Sequence, residues 1–68
     1  MEQWRFIDEI LRPFCKLLDE NIAFLLPVMN SDNKVFAVNI GYKDNNVETL
    51  NIDDDSLMTI AKEVINYI

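Results

Sequence analysis

Histidine is absent from this 68-residue chain, glycine and cysteine occur once each, and proline twice. Each shortage narrows what the protein can be. Without histidine, the commonest general base at neutral pH is missing. A lone glycine, Gly41, cannot build a glycine-rich phosphate loop. A lone cysteine, Cys15, cannot close an internal disulfide or form a cysteine-rich metal site, which fits a reducing, cytoplasmic setting. No apolar run approaches the roughly 20 residues of a membrane-spanning helix. Met1-Glu2-Gln3-Trp4 has neither the basic start nor the small-residue cleavage site of a secretory leader. Bases are scarce too: six stand against twelve acids, a formal charge of −6. Phosphate binding needs Lys and Arg to displace counterions, so direct contact with nucleic acid or an anionic membrane is disfavoured.

Apolar residues are plentiful, at 50%. The length allows one domain, 1–68, with no repeat and no linker. From Gln3 to Glu20, Trp4, Phe6, Ile7, Ile10, Leu11, Phe14, Cys15, Leu17 and Leu18 fall within about half a helical circumference. Pro13 interrupts a pattern whose apolar phase runs on through it. One kinked helix is expected, the alternative being a break at Arg12.

Three strand-like runs follow. Ile22–Met29 is apolar on both faces, with Leu25, Pro27 and Met29 on the side opposite Phe24, Leu26 and Val28. Pro27 assigns it to a sheet edge. Val35–Tyr42 alternates, with Phe36, Val38, Ile40 and Tyr42 expected on the core side. Val47–Ile52 completes the set, after turns at 30–33 and 43–46 whose asparagines tolerate left-handed geometry. A last helix from about Asp54 carries Leu57, Ile60, Ala61, Val64, Ile65 and Ile68 in one stripe. Asp53 is expected as its N-cap, with Ile52 and Leu57 as a hydrophobic staple. The expected fold is α+β, a two-layer αβββα domain. Its sheet is a three-stranded antiparallel meander with both helices on one face.

Catalysis is poorly supplied, and no enzyme, metal site or cofactor is expected. Cys15 reads as a small buried hydrophobe, and neither Ser31 nor Ser56 has a base partner. Asp53-Asp54-Asp55 lacks the alternating ligands, glycine and distal Glu of a calcium loop. On the expected topology, one end of the sheet collects Glu2, Asp32, Asp53, Asp54 and Asp55 against Lys34, a sum of −4. The other collects Asp19, Glu20, Asp44 and Glu48 against Lys16 and Lys43, a sum of −2.

Two surfaces therefore stand out: an acidic cluster of Asp32, Asp53, Asp54 and Asp55, and an apolar outer sheet face with Leu25, Met29, Val35 and Val47. Together they point to a small acidic, non-catalytic protein that binds a basic surface of another protein and regulates or inhibits it. The alternative is a homo-oligomerising adaptor, a homodimer for example, using the first strand or the outer sheet face.

The αβββα order resembles the double-stranded RNA-binding domain, over the whole chain but in topology alone. That family grips phosphates with lysines at the start of its second helix and a histidine-bearing loop after its first strand. Here Asp53-Asp54-Asp55 and Asn30-Ser31-Asp32-Asn33-Lys34 stand in those places, so the resemblance implies the fold without RNA binding. The outline and acidity also resemble small phage-encoded or mobile-element inhibitors, certain anti-CRISPR proteins among them, that imitate nucleic acid charge.

Overall fold

The computed structural model describes residues 2–68. Its first 16 helical residues form one continuous rod in three parts: α1 (Gln3–Phe6), a π-helical turn (Ile7–Leu11) and α2 (Arg12–Leu18). Strands β1 (Ile22–Met29), β2 (Val35–Tyr42) and β3 (Val47–Asn51) follow, then α3 (Leu57–Tyr67). The strands make one antiparallel sheet in the order β1-β2-β3. This is the expected α+β arrangement, with β1 and its Pro27 at an edge.

Pro13 does not break the rod. Proline has no N–H to donate, and its ring crowds the carbonyl four residues back, here Glu9. The chain responds by widening the turn before it. Arg12 N–H reaches back to the Ile7 carbonyl, five residues away, and Leu11 and Arg12 keep right-handed helical angles (φ −70°, ψ −43° and φ −59°, ψ −50°). The expected alternative of a break at Arg12 is therefore not realised. The rod ends at Leu18, because Asp19 is extended (φ −146°, ψ 106°) and its carboxylate accepts the Asn21 N–H at 3.0 Å.

Both strand turns use the same asparagine device. Asn33 (φ 62°) and Asn45 (φ 72°) take the left-handed conformation, where asparagine is among the tolerated residues. Each N–H closes its turn at 3.0 Å, on Asn30 O and Tyr42 O respectively.

Ile7, Leu11 and Cys15 from the rod, Ile22 and Leu25 from β1, Val35, Val38 and Ile40 from β2, and Ile60 and Val64 from α3 form the core together with Ile52. Each large side chain fully removed from water contributes about 1.5–3 kcal/mol. Two register shifts decide which residues reach it. Between Ile22 and Phe24, β1 advances two residues while β2 advances one, from Tyr42 to Gly41. At the far end β2 advances two, from Ala37 to Val35, against one step from Val28 to Met29. Each irregularity reverses the alternation of faces.

Phe24 lands on the outer face, opposite Gly41. Its ring covers the glycine so closely that a Cβ at Gly41 would lie inside the ring's van der Waals envelope. Gly41 is needed for this close approach, since its φ is not positive. Gly41→Ala is expected to lower stability by about 1–3 kcal/mol through displacement of Phe24. Phe24→Ala in the same chain should make the double mutant less destabilised than the sum of the single changes, as read by urea denaturation.

Candidate functional site

The turn between β1 and β2 and the segment between β3 and α3 meet at one end of the sheet. There Asn30, Lys34, Phe36, Asp53, Asp54 and Asp55 line a depression of about 320 Å³. The start of the rod closes over the same end. Gln3 Nε2 donates to Asp55 Oδ2 at 3.2 Å and to the Asp55 carbonyl at 3.4 Å. Trp4 Nε1 donates to Glu2 Oε2 at 2.6 Å.

The aspartates are not the caps they were expected to be. α3 begins three residues later than the sequence pattern predicts, and Ser56 is its N-cap, with Oγ accepting the Thr59 N–H at 3.2 Å. No acid lies in the first turn. With Ser56 as the cap, Ile52 and Leu57 fall outside the staple positions, and Ile52 serves as a core residue instead. Serine and aspartate are comparable caps, and Ser56 holds the role because it is the extended residue directly before the first helical one. Asp54 instead organises the approach to the helix, accepting the Ser56 N–H at 3.1 Å. Asp53 and Asp54 are exposed and Asp55 half-buried.

Asp32 is exposed at the neighbouring turn tip, where its N–H donates to Asn30 Oδ1 at 2.9 Å; it does not line the depression. So the structure gathers Asp53, Asp54 and Asp55 and leaves Asp32 beside them. Among the described residues, no group of three or more acidic or sulfur ligands is arranged to hold a metal ion.

The apolar candidates divide. Leu25 and Val35 are corrected: they are 1% and 3% exposed and belong to the core. Leu25 pairs with Ile40 across the core face, because the β1 irregularity shifts everything after Ala23 by one step. Val35 turns inward through the β2 irregularity at Phe36. Met29 is 38% exposed at the end of β1, next to the acidic end. Val47 is 54% exposed, but at the opposite end of the sheet. The outer face carries Phe24, Leu26 and Val28 on β1, then Asn39 and Thr49 on β2 and β3, joined by a 2.7 Å hydrogen bond between their side chains.

The same β2 irregularity that buries Val35 exposes Phe36 to 46% and brings it into the wall of the acidic depression. Alternation alone assigns Phe36 to the core, so sequence reasoning missed it. Nothing in the local sequence signals the extra residue.

A second, larger depression of about 850 Å³ lies at the other end, lined by residues that include Asp19, Asn21, Tyr42, Lys43, Asp44 and Glu48. Burial, and then the Glu48 carboxylate beside it, push the Tyr42 phenol up to about 12. Tyr67 is raised by the same causes in the same order. Burial also raises the Cys15 thiol, as befits a core residue.

The class that these observations define is a two-layer αβββα domain with an acidic end and no helix long and apolar enough to cross a membrane among the described residues. No protein-family model, curated protein or solved structure matches this chain.

Three outcomes check the two ends of the sheet. Ser56→Ala should cost about 1 kcal/mol in chemical denaturation. Asp53→Asn, at an exposed position outside the cap, should stay within about 0.5 kcal/mol. Tyr42 keeps its proton to higher pH when folded, so its contribution to stability is full below its ordinary value of 10.0 and is lost as pH rises toward about 12. The melting temperature should fall across that interval, and Tyr42→Phe should flatten the fall.

Proposed function

We propose that this protein acts without catalysis, as a small acidic cytoplasmic regulator that docks on a basic surface of another protein. Supporting this reading is the grouping of an exposed aromatic ring, Phe36, with Asp53, Asp54 and Asp55 around one depression. Binding energy at protein interfaces concentrates in aromatic and charged anchors, and a concentrated field of one sign raises the association rate. None of the three carboxylates is neutralised by an ion pair among the described residues, although Asp54 and Asp55 accept hydrogen bonds from Ser56 and Gln3. Two ion pairs stand among the described residues, Arg5 with Glu9 at 3.5 Å and Arg12 with Asp8 at 3.2 Å, and both lie within the N-terminal rod. In this reading Asp53, Asp54 and Asp55 supply the charged contact with Asp32 beside them, and Phe36 and Met29 the apolar one. Nucleic acid and anionic membrane are not its partners, because the same field repels phosphate.

The homo-oligomer reading keeps one supporting feature, the apolar β1 half of the outer sheet face with Leu26 54% exposed. Pairing through the β1 edge is disfavoured by Pro27, which offers no N–H to a further strand.

Affinity capture from the cell of origin, with Asp53, Asp54 and Asp55 all changed to Lys, tests the first reading. A specific partner should be recovered by the wild type, lost with the triple variant, and held more weakly as salt is raised from 50 to about 300 mM. Recovery of the same partner by the triple variant would overturn acidic docking. Sedimentation as a strict monomer at high concentration would remove the oligomer reading.

A further inference from the structure

Exposed apolar side chains occur on every element of this molecule, and four of them gather on one stretch of the N-terminal rod. On the N-terminal rod, Ile10, Phe14, Leu17 and Leu18 are 47%, 46%, 83% and 54% exposed. Their spacing of i, i+4, i+7 and i+8 is that of one helical face. The same rod buries Ile7, Leu11 and Cys15 at i, i+4 and i+8 against the sheet. Its apolar arc is therefore wider than the part the fold covers: Ile10, Phe14 and Leu17 form a second stripe adjoining the buried one, and Leu18 extends the arc at the rod's end. A single stripe suffices to seat a helix on a sheet, so this adjoining one is left largely in water. Four large side chains gathered over about 12 Å of helix make the kind of patch that marks an interaction surface.

The charge around this stripe says what fits it. Arg5 and Arg12 are held by Glu9 and Asp8, each four residues away on the rod's own surface. What remains is three acids against one base: Glu2 before the rod and Asp19 and Glu20 after it, with Lys16 in its last turn. Residues 2–20 hold five acids and three bases, a net of −2, on a chain whose total is −6. A second copy would bring two such chains together, and either orientation of the two rods would set acidic ends beside acidic ends. A helix with its own apolar stripe and lysines or arginines toward its ends satisfies both features at once.

We infer that the Ile10–Phe14–Leu17–Leu18 stripe is the docking face for a basic amphipathic helix of a partner protein. The partner's apolar residues lie along the stripe, and its basic residues reach Asp19 and Glu20 at one end and Glu2 at the other. This rests on the regulator reading above and adds a second contact, distinct from the acidic depression at Asp53–Asp55.

The probe is a labelled, roughly 18-residue leucine/lysine peptide designed as an amphipathic helix, with the leucine/glutamate version as its counterpart, followed by fluorescence anisotropy. The lysine peptide should bind and the glutamate peptide should not. Phe14→Asp and Leu17→Asp should each weaken binding about tenfold or more. Met58→Asp, at a 74% exposed position on α3, should leave it unchanged. Circular dichroism melts should show a cooperative transition for all three variants, because Leu17 and Met58 are mostly in water and Phe14 is nearly half so. Equal binding of both peptides, or stripe variants that bind like the wild type, would overturn the inference. So would a dimer that Phe14→Asp dissolves, which would make a second copy the occupant, or adsorption to neutral phosphatidylcholine vesicles that Phe14→Asp abolishes, which would make a lipid surface the occupant. Peptide binding lost when Asp53, Asp54 and Asp55 are changed to Asn but kept in Phe14→Asp would sink the stripe and leave the acidic-end reading standing.

Discussion

Val38 and Ile40, side by side on one face of the central strand, are the pair on which the rest of the structure rests. Both are fully buried. β2 pairs with both neighbours, so these two residues meet Pro27 and Leu25 across one ladder and Leu50 and Glu48 across the other. The core formed above them takes Ile7, Leu11 and Cys15 from the N-terminal rod and Ile60 and Val64 from α3. A chain of this length has little surface to spare, and one covered sheet face is close to the most it can bury. Everything else follows from keeping that face dry: the widened turn that lets the rod pass Pro13, the bulges that aim Ile22 and Val35 inward, and the outer face left open to water.

The outline was legible because it depends on periods. Alternation over Val35–Tyr42, the 3.6-residue stripe from Leu57 to Ile68, and asparagines at turn positions read as strand, helix and turns, and the structure has those elements there. Pro27 on an edge strand is equally direct, since only an edge tolerates a missing donor in mid-strand. The errors came where one extra residue enters a strand. A bulge costs nothing visible in composition, yet it reverses every face assignment beyond it. That moved Leu25 and Val35 from the expected outer face into the core and pushed Phe36 out. The aspartates misled for a related reason. Acids next to a helix start suggest a cap, but Ser56 takes that role because it stands at the residue where the backbone actually turns helical.

Charge and apolar surface are arranged with different consequences. Along the rod, acids and bases sit at i and i+4 and neutralise one another at modest gain, about 0.3–0.5 kcal/mol for such exposed pairs. At the sheet ends no acid is in an ion pair among the described residues, and the acids outnumber the lysines there. The apolar surplus is likewise divided between the outer face of β1 and the second stripe of the rod. A small domain that carries both features at its surface holds more recognition chemistry than its core requires.

By itself the sequence determined the order of elements, the antiparallel meander, the edge position of β1 and the acidic character of both ends. All of these follow from local propensity, short turns and charges whose side of the sheet depends only on strand direction. Tertiary structure alone decided which apolar residues are covered. Whether a side chain is buried depends on strand register and on how far two helices can reach across one sheet, and a single inserted residue or a widened helical turn changes that without any local trace.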